Sequence, residues 1–318
     1  MKIFFKILKN ILFAKEITII ASPLQLINLN EFNKKNKKII NSKYPILISS
    51  QEKDTSNQLR HTYKKLNIKN ELIFLNDYIS LKKIFLLKNI RKFFLPKYEK
   101  CILSNYFEVL QKELFKISKV KYLLDDGGST LLLNKHSFKN QNDNIKFFSI
   151  YKNFFSNKNF CENNYDYLKK KLKSKKINNK IIHFISSQNY HYSKKKNQDV
   201  YFKDLKKFFK KFKKYKIIYI AHRRENINFI RKQINLKVIK LNLPLEIYYL
   251  ISKYYPKHVI TNYSSSTFTL KKIFDNKINL INYNSNLNLF DYRRKELIKN
   301  YSLYKKIYES LNIKQIKY

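Results

Sequence analysis

Apolar residues run along the chain in short blocks that end at polar turns, with longer stretches of helical period between them. The block Ile17-Thr18-Ile19-Ile20-Ala21 is broken by Ser22-Pro23 and followed by Leu24, Leu26, Ile27 and Leu29, which predicts strand, turn and helix. Pro45 to Ser50, Glu71 to Leu75, Lys100 to Asn105 and Val120 to Leu124 continue the alternation. Strands separated by helices predict a parallel sheet covered on both faces. Residues 150–178 are rich in Asn and Lys without a clear period, and a second series follows them. Its expected strands are Ile181–Ile185, Lys216–Ala221, Val238–Ile239, Val259–Asn262 and Ile278–Asn282. Helices are expected over 199–214 and from Pro244 to Tyr254, then to the end of the chain. The reading is an α/β protein of two Rossmann-like domains facing a cleft, spanning 1–165 and 166–318.

The opening stretch, Lys2 to Phe13, reads as a helix with Lys2, Lys6 and Lys9 on one face. Lysines inside its apolar run rule it out as a signal core or a membrane span. It fits a first helix packed on its own domain, or a basic amphipathic helix lying on an anionic membrane surface. Cys101 and Cys161 are too few for a disulfide framework and have no partner at metal-ligand spacing, which points to the cytoplasm.

The net charge of +45 suggests a polyanionic partner. Yet Gly, Pro and Trp are as scarce as Lys, Asn and Ile are abundant, the bias expected of AT-rich codons, so lysine on solvated faces explains the charge equally well. The run Lys169 to Lys176 lacks the regularly spaced aromatics that stacking on single strands needs.

Only two glycines remain where roughly 22 would be usual for this length, and they stand together in Leu124-Asp125-Asp126-Gly127-Gly128. Glycine is needed where φ is positive or where a ligand comes close. Here the pair follows two carboxylates at a strand end, the edge that faces the ligand crevice in an open α/β sheet. A capped turn is the plainer explanation.

The second half offers His222 at a strand end, followed by Arg223 and Arg224, and Glu246 in a first helical turn. It also offers Ser264-Ser265-Ser266-Thr267 leading into a helix. Serines with amides at a helix N-terminus suit phosphate, and a first-turn carboxylate suits ribose hydroxyls. Singly, His222 could be an ordinary core histidine, the serines a plain N-cap run and Glu246 an acid favoured by the helix dipole. His183, His136, His191 and His258 read as structural or surface residues.

Acid-acid-Gly in the first half, a histidine at a strand end in the second, and a Ser-rich strand-to-helix turn some forty residues later resemble the bacterial sialyltransferases of the GT-B fold. These include the lipooligosaccharide sialyltransferases of glycosyltransferase family 52 and the capsular polysialyltransferases. The opening Ile19-Ile20-Ala21-Ser22-Pro23-Leu24-Gln25-Leu26 is similar to their first strand and turn. Two features depart from the pattern: the chain has His222-Arg223 where those enzymes carry His-Pro, and Ser186-Ser187-Gln188-Asn189 holds no acid shortly before the histidine motif.

The resemblance implies inverting, metal-independent transfer of sialic acid from CMP-sialic acid to a glycan hydroxyl of the cell envelope. Asp125, or otherwise Asp126, would be the general base, and His222, a residue type suited to proton donation, would serve the leaving phosphate. Ser22, Gly127, Gly128, Arg223, Arg224, Glu246, Ser264, Ser265, Ser266 and Thr267 would bind the donor. No cofactor or metal is implied, and the partners would be the nucleotide sugar and a glycan or lipid-linked acceptor. Rival readings are a GT-B transferase with another donor, such as CMP-Kdo, and a basic nucleic-acid-binding protein without catalysis.

Overall fold

The computed structural model describes residues 2–36, 43–50, 52–133, 145–152, 159–172, 175–187, 193–289 and 294–317. The chain divides into two compact units, Met1–Tyr167 and Leu168–Tyr318.

In the first unit, α1 (Lys2–Phe13) precedes β1 (Glu16–Ile20), α2 (Pro23–Lys35), β2 (Ile46–Ile48), α3 (Lys53–Leu66) and β3 (Leu72–Phe74). Then come α4 (Leu81–Phe94), β4 (Tyr98–Leu103), α5 (Val109–Lys116), β5 (Ser118–Leu124), β6 (Ile145–Ser149) and β7 (Phe160–Glu162). The sheet is parallel throughout, in the order β3-β2-β1-β4-β5-β6-β7. β1 shows why both faces are covered: Ile17 and Ile19 pack with Ile7 and Ile11 of α1 and Ile84 of α4, while Ile20 packs with Leu26 and Leu29 of α2. Ser22 begins α2 by accepting the Gln25 N–H, and Pro23 supplies a preset φ in the first turn.

Helix α6 (Asp166–Leu172) spans the division. The second unit runs β8 (Lys176–Ile185), α7 (Lys195–Lys210), β9 (Lys216–Ala221), α8 (Ile227–Gln233), β10 (Lys237–Lys240) and α9 (Leu245–Ile251). It continues through β11 (Tyr254–Thr261), α10 (Ser266–Phe274), β12 (Asn279–Asn284), α11 (Arg294–Ser310) and β13 (Lys314–Lys317). This sheet is also parallel, in the order β10-β9-β8-β11-β12-β13. Counted from its own first strand, it winds as the first sheet does, so each unit has the Rossmann order. In each, the winding reverses beside the first strand, between β1 and β4 and between β8 and β11, and the C-terminal strand ends there are where such sheets bind ligands.

Several expectations change. The pattern does not mark β6, and β7 and the start of β8 fall within the stretch expected to be without period. The end of the chain is not all helical: β13 pairs with β12, with Ile316 packed on the second-unit core. The helix expected to reach Tyr254 stops at Ile251, because Tyr254-Tyr255-Pro256 already belongs to β11 and a residue before proline avoids the helical region. Pro256 is tolerated in this central strand at a shift of register between Pro256 and His258.

Candidate functional site

At the end of β5 the two adjacent carboxylates diverge. Asp125 is 2 % exposed, its Oδ2 accepting the Ile150 N–H at 2.8 Å, and its backbone carbonyl accepts from Asn28 Nδ2 at 2.9 Å. Burial pushes this carboxyl up to about 7, against the pull of the Ser149 hydroxyl and the Ile150 N–H, and the Asp126 charge adds to the rise. Asp126 is partly exposed, and its Oδ1 accepts from Gln25 Nε2 at 2.6 Å. The other end of that carboxamide accepts the Ala21 N–H at 2.6 Å, so Gln25 ties the end of β1 to Asp126. Gly127 has φ 60, a conformation open to glycine at no steric cost, and it opens a 3-10 turn through Leu132. Gly128 does not share the positive φ.

Other groups at this edge carry no mark in the sequence. Asn28, besides holding Asp125, accepts from the Tyr165 hydroxyl at 2.6 Å and from Asn163 Nδ2 at 3.1 Å. Glu108, just before α5, takes hydrogen bonds from Ser49 at 2.8 Å and Gln111 at 2.6 Å, and burial raises its carboxyl.

In the second unit β8 lies between β9 and β11, and the two serines that follow it are bonded to the turns on either side. Ser186 Oγ donates to Glu225 Oε1 at 2.6 Å, and Ser187 Oγ donates to the Asn262 carbonyl. Glu225 closes the turn that holds His222. Its Oε2 accepts the His222 N–H at 2.6 Å, its Oε1 accepts from the Tyr219 hydroxyl at 3.2 Å, and its own N–H reaches the His222 carbonyl at 2.9 Å. At 3 % exposed its carboxyl is pushed up to about 7 by burial, in spite of those donors. An acid three residues after a strand-end histidine was the signal that could have found it.

His222 Nδ1 accepts the Arg224 N–H at 3.3 Å. With Nδ1 an acceptor, the neutral ring carries its proton on Nε2. Arg223 is half-buried and Arg224 exposed beside it.

After β11, Tyr263 has φ 51, and its ring stacks on Tyr301 of α11 with centroids 3.9 Å apart and planes 12° apart. Ser264 Oγ accepts the Ser266 N–H at 3.3 Å and lies 2.8 Å from Ser266 Oγ, while the Ser264 carbonyl takes the Thr267 N–H. The first amides of α10 are thus satisfied within the turn. Ser265, at the N-cap position, makes no side-chain capping bond and is partly exposed.

Two of the residues expected to contact the donor, Thr267 and Glu246, are buried. Thr267 is fully buried and bonds to Thr261 and the Ser264 carbonyl. Glu246, 4 % exposed, accepts from the Thr269 hydroxyl between α9 and α10, and desolvation raises its carboxyl. Both side chains face the interior, and neither is carried into the donor contacts below.

His183 is a core residue: it stacks on Tyr249, its Nδ1 lies 2.9 Å from that hydroxyl, and burial pushes it down to about 4. His258 packs on Tyr215. His136, His191, Gln188 and Asn189 lie outside the described residues. Among the described residues no three His, Cys, Asp or Glu side chains gather as a metal site. Concavities of about 430 and 670 Å³ in the second unit lie at the strand starts, away from these turns.

No family model and no curated protein matches the chain. Among solved structures it is similar to an α/β-galactoside α-2,3-sialyltransferase from Photobacterium phosphoreum, at 11 % identity and a TM-score of 0.48 over 94 % of this chain and 97 % of that one. It is also similar to a UDP-N-acetylglucosamine 2-epimerase, at 11 % identity and 0.42 over 91 % and 82 %. An E. coli heptosyltransferase follows at 9 % identity and 0.42 over 84 % and 88 %. At these identities the likeness is one of fold.

Proposed function

We propose that the chain is an inverting glycosyltransferase of the GT-B kind that moves sialic acid from CMP-sialic acid to a glycan hydroxyl. The observation that carries the reading is the pair of turns bonded to the end of β8. One presents His222 and its two arginines, the other Ser265 at the start of a nine-residue helix. Imidazole, guanidinium and a partly exposed serine hydroxyl are groups that bind phosphate, and the two turns flank the end of β8, the strand beside which the winding of the sheet reverses.

In the proposed reaction the acceptor oxygen attacks the anomeric carbon, and the bond from that carbon to the CMP phosphate oxygen breaks with its electron pair going to the phosphate. The acceptor proton passes to a first-unit carboxylate. Exposure favours Asp126 for this step, held by Gln25, while Asp125 anchors the strand end. Nε2–H of His222 donates to the departing phosphate, Arg223 and Arg224 add charge, and the Ser265 hydroxyl holds a phosphate oxygen. These cationic and dipolar groups can meet the phosphate charge without a divalent ion.

Thermal unfolding of the purified chain with CMP, CMP-sialic acid, UDP and GDP tests this. A ligand bound only by the folded state at roughly 100 times its Kd adds about 2.7 kcal/mol, a shift of several degrees. The expected outcome is a rise with the two cytidine compounds only, lost in Ser265→Ala and His222→Ala. A rise with UDP or GDP instead would refute the donor, and no rise with any nucleotide would refute the transferase.

A further inference from the structure

Helices α1 and α4 pack side by side in the first unit, sharing one apolar core, and Arg91 of α4 closes the end of α1 by donating to the Ile11 and Leu12 carbonyls at 3.3 and 2.6 Å. Ordinary amphipathic helices would turn only polar residues outward. These two do not. Seven of the fifteen exposed large apolar side chains among the described residues belong to them, and Phe5, Phe13, Leu86, Phe93 and Phe94 are 60–81 % exposed. Leu86, Ile90 and Phe93 recur at a spacing that puts them on one outward strip of α4, and Phe5 and Phe13 share the outward face of α1. Phe13, Phe93 and Phe94 all lie within one helical turn of the residues joined by Arg91.

Neither helix contains an Asp or Glu, and Lys2, Lys9, Lys82, Lys83 and Lys92 are exposed along them. The other three cations are engaged within the unit: Lys6 with Glu71, Lys88 with Glu113, and Arg91 with α1. Exposed aromatic rings among lysines, on two helices that carry no acid of their own, match an anionic lipid headgroup layer, which takes rings into its acyl boundary and lysines onto its phosphates. A second copy of the same face would set lysine against lysine.

We infer that the α1–α4 face docks on an anionic bilayer surface, with Phe93 and Phe94 entering it. No described helix is long and apolar enough to cross a membrane, so the contact is peripheral. This inference is independent of the transferase reading.

The chain has no tryptophan, so a single introduced one reports alone. Phe94→Trp should shift its emission to the blue with vesicles of phosphatidylcholine and phosphatidylglycerol in equal parts, and stay unshifted with phosphatidylcholine alone. Ile251→Trp, exposed in the second unit, should not respond to either. In co-sedimentation, Phe93→Ser with Phe94→Ser should weaken binding to the anionic vesicles at least about tenfold, with circular dichroism unchanged because both rings are exposed. Unshifted Phe94→Trp emission, an equal shift at Ile251→Trp, or vesicle binding indifferent to the two serines would overturn the inference. So would a dimer, seen by light scattering, that the serines dissociate without any effect on vesicle binding.

Discussion

At Asp125, burial and charge oppose each other, and the opposition is measurable. A carboxyl that titrates near 4 in the unfolded chain and about 7 in the folded one leaves the folded state holding one more proton between those values. Its contribution therefore makes folding weaker as pH rises from about 4 to about 7, by roughly 4 kcal/mol in all. Asp125→Asn cannot ionise, so its midpoint relative to the parent chain should climb across that window in thermal melts and level off above it. Asp126→Asn should instead leave the melt nearly unchanged and, under the proposed function, lower sialyl transfer at least about 100-fold. The sequence displays both acids at a strand end but not which one turns inward. β5 is buried on both faces over its last four residues, so alternation along the strand says nothing about the residue that follows. Gly127 was legible because glycine is so rare here, and the structure gives the positive φ to the first of the pair alone.

The element that organises the second unit's edge is the end of β8. Glu225 receives the Ser186 hydroxyl, the Tyr219 hydroxyl and the His222 N–H, so removing its carboxyl strands three donors at once. Glu225→Ala should destabilise the chain by about 3 kcal/mol in chemical unfolding, and Glu225→Gln, which keeps one acceptor oxygen, by about 1 kcal/mol. Strands built from Ile and Leu runs, such as β1, β5 and β9, are plain in the pattern because burial on both faces demands such runs. β7 and β13 are missed because they are edge strands of three and four residues, with too few apolar positions to show a period. That Asp125, His222 and Ser264 follow strand ends was legible for the same reason the strands were. The bond from Ser186 back to Glu225 joins residues 39 apart and leaves no local trace.

At the scale of the whole molecule, 67 Lys and Arg against 22 Asp and Glu mean that the folded chain repels itself. Salt shortens the reach of that repulsion to about 8 Å at 0.15 M, while the exposed ion pairs it weakens are worth less than about 1 kcal/mol each. The melting midpoint should therefore rise as sodium chloride goes from about 0.02 to about 0.3 M, and a fall would mean that attractive pairs dominate. The same shortage of glycine that makes Gly127 conspicuous leaves the other positive-φ positions among the described residues to Asn67, Tyr165, Tyr263, Asp275 and Asn312. A tyrosine there costs about 1–2 kcal/mol, and at Tyr263 the stack on Tyr301 returns about 0.5–1.5 kcal/mol. A ring on the C-terminal helix is thus the clamp that keeps a reluctant backbone bent just ahead of Ser264 and Ser265. Trimming that helix would let the bend spring toward extended geometry and carry both serines with it, although none of the residues removed is a serine of the turn.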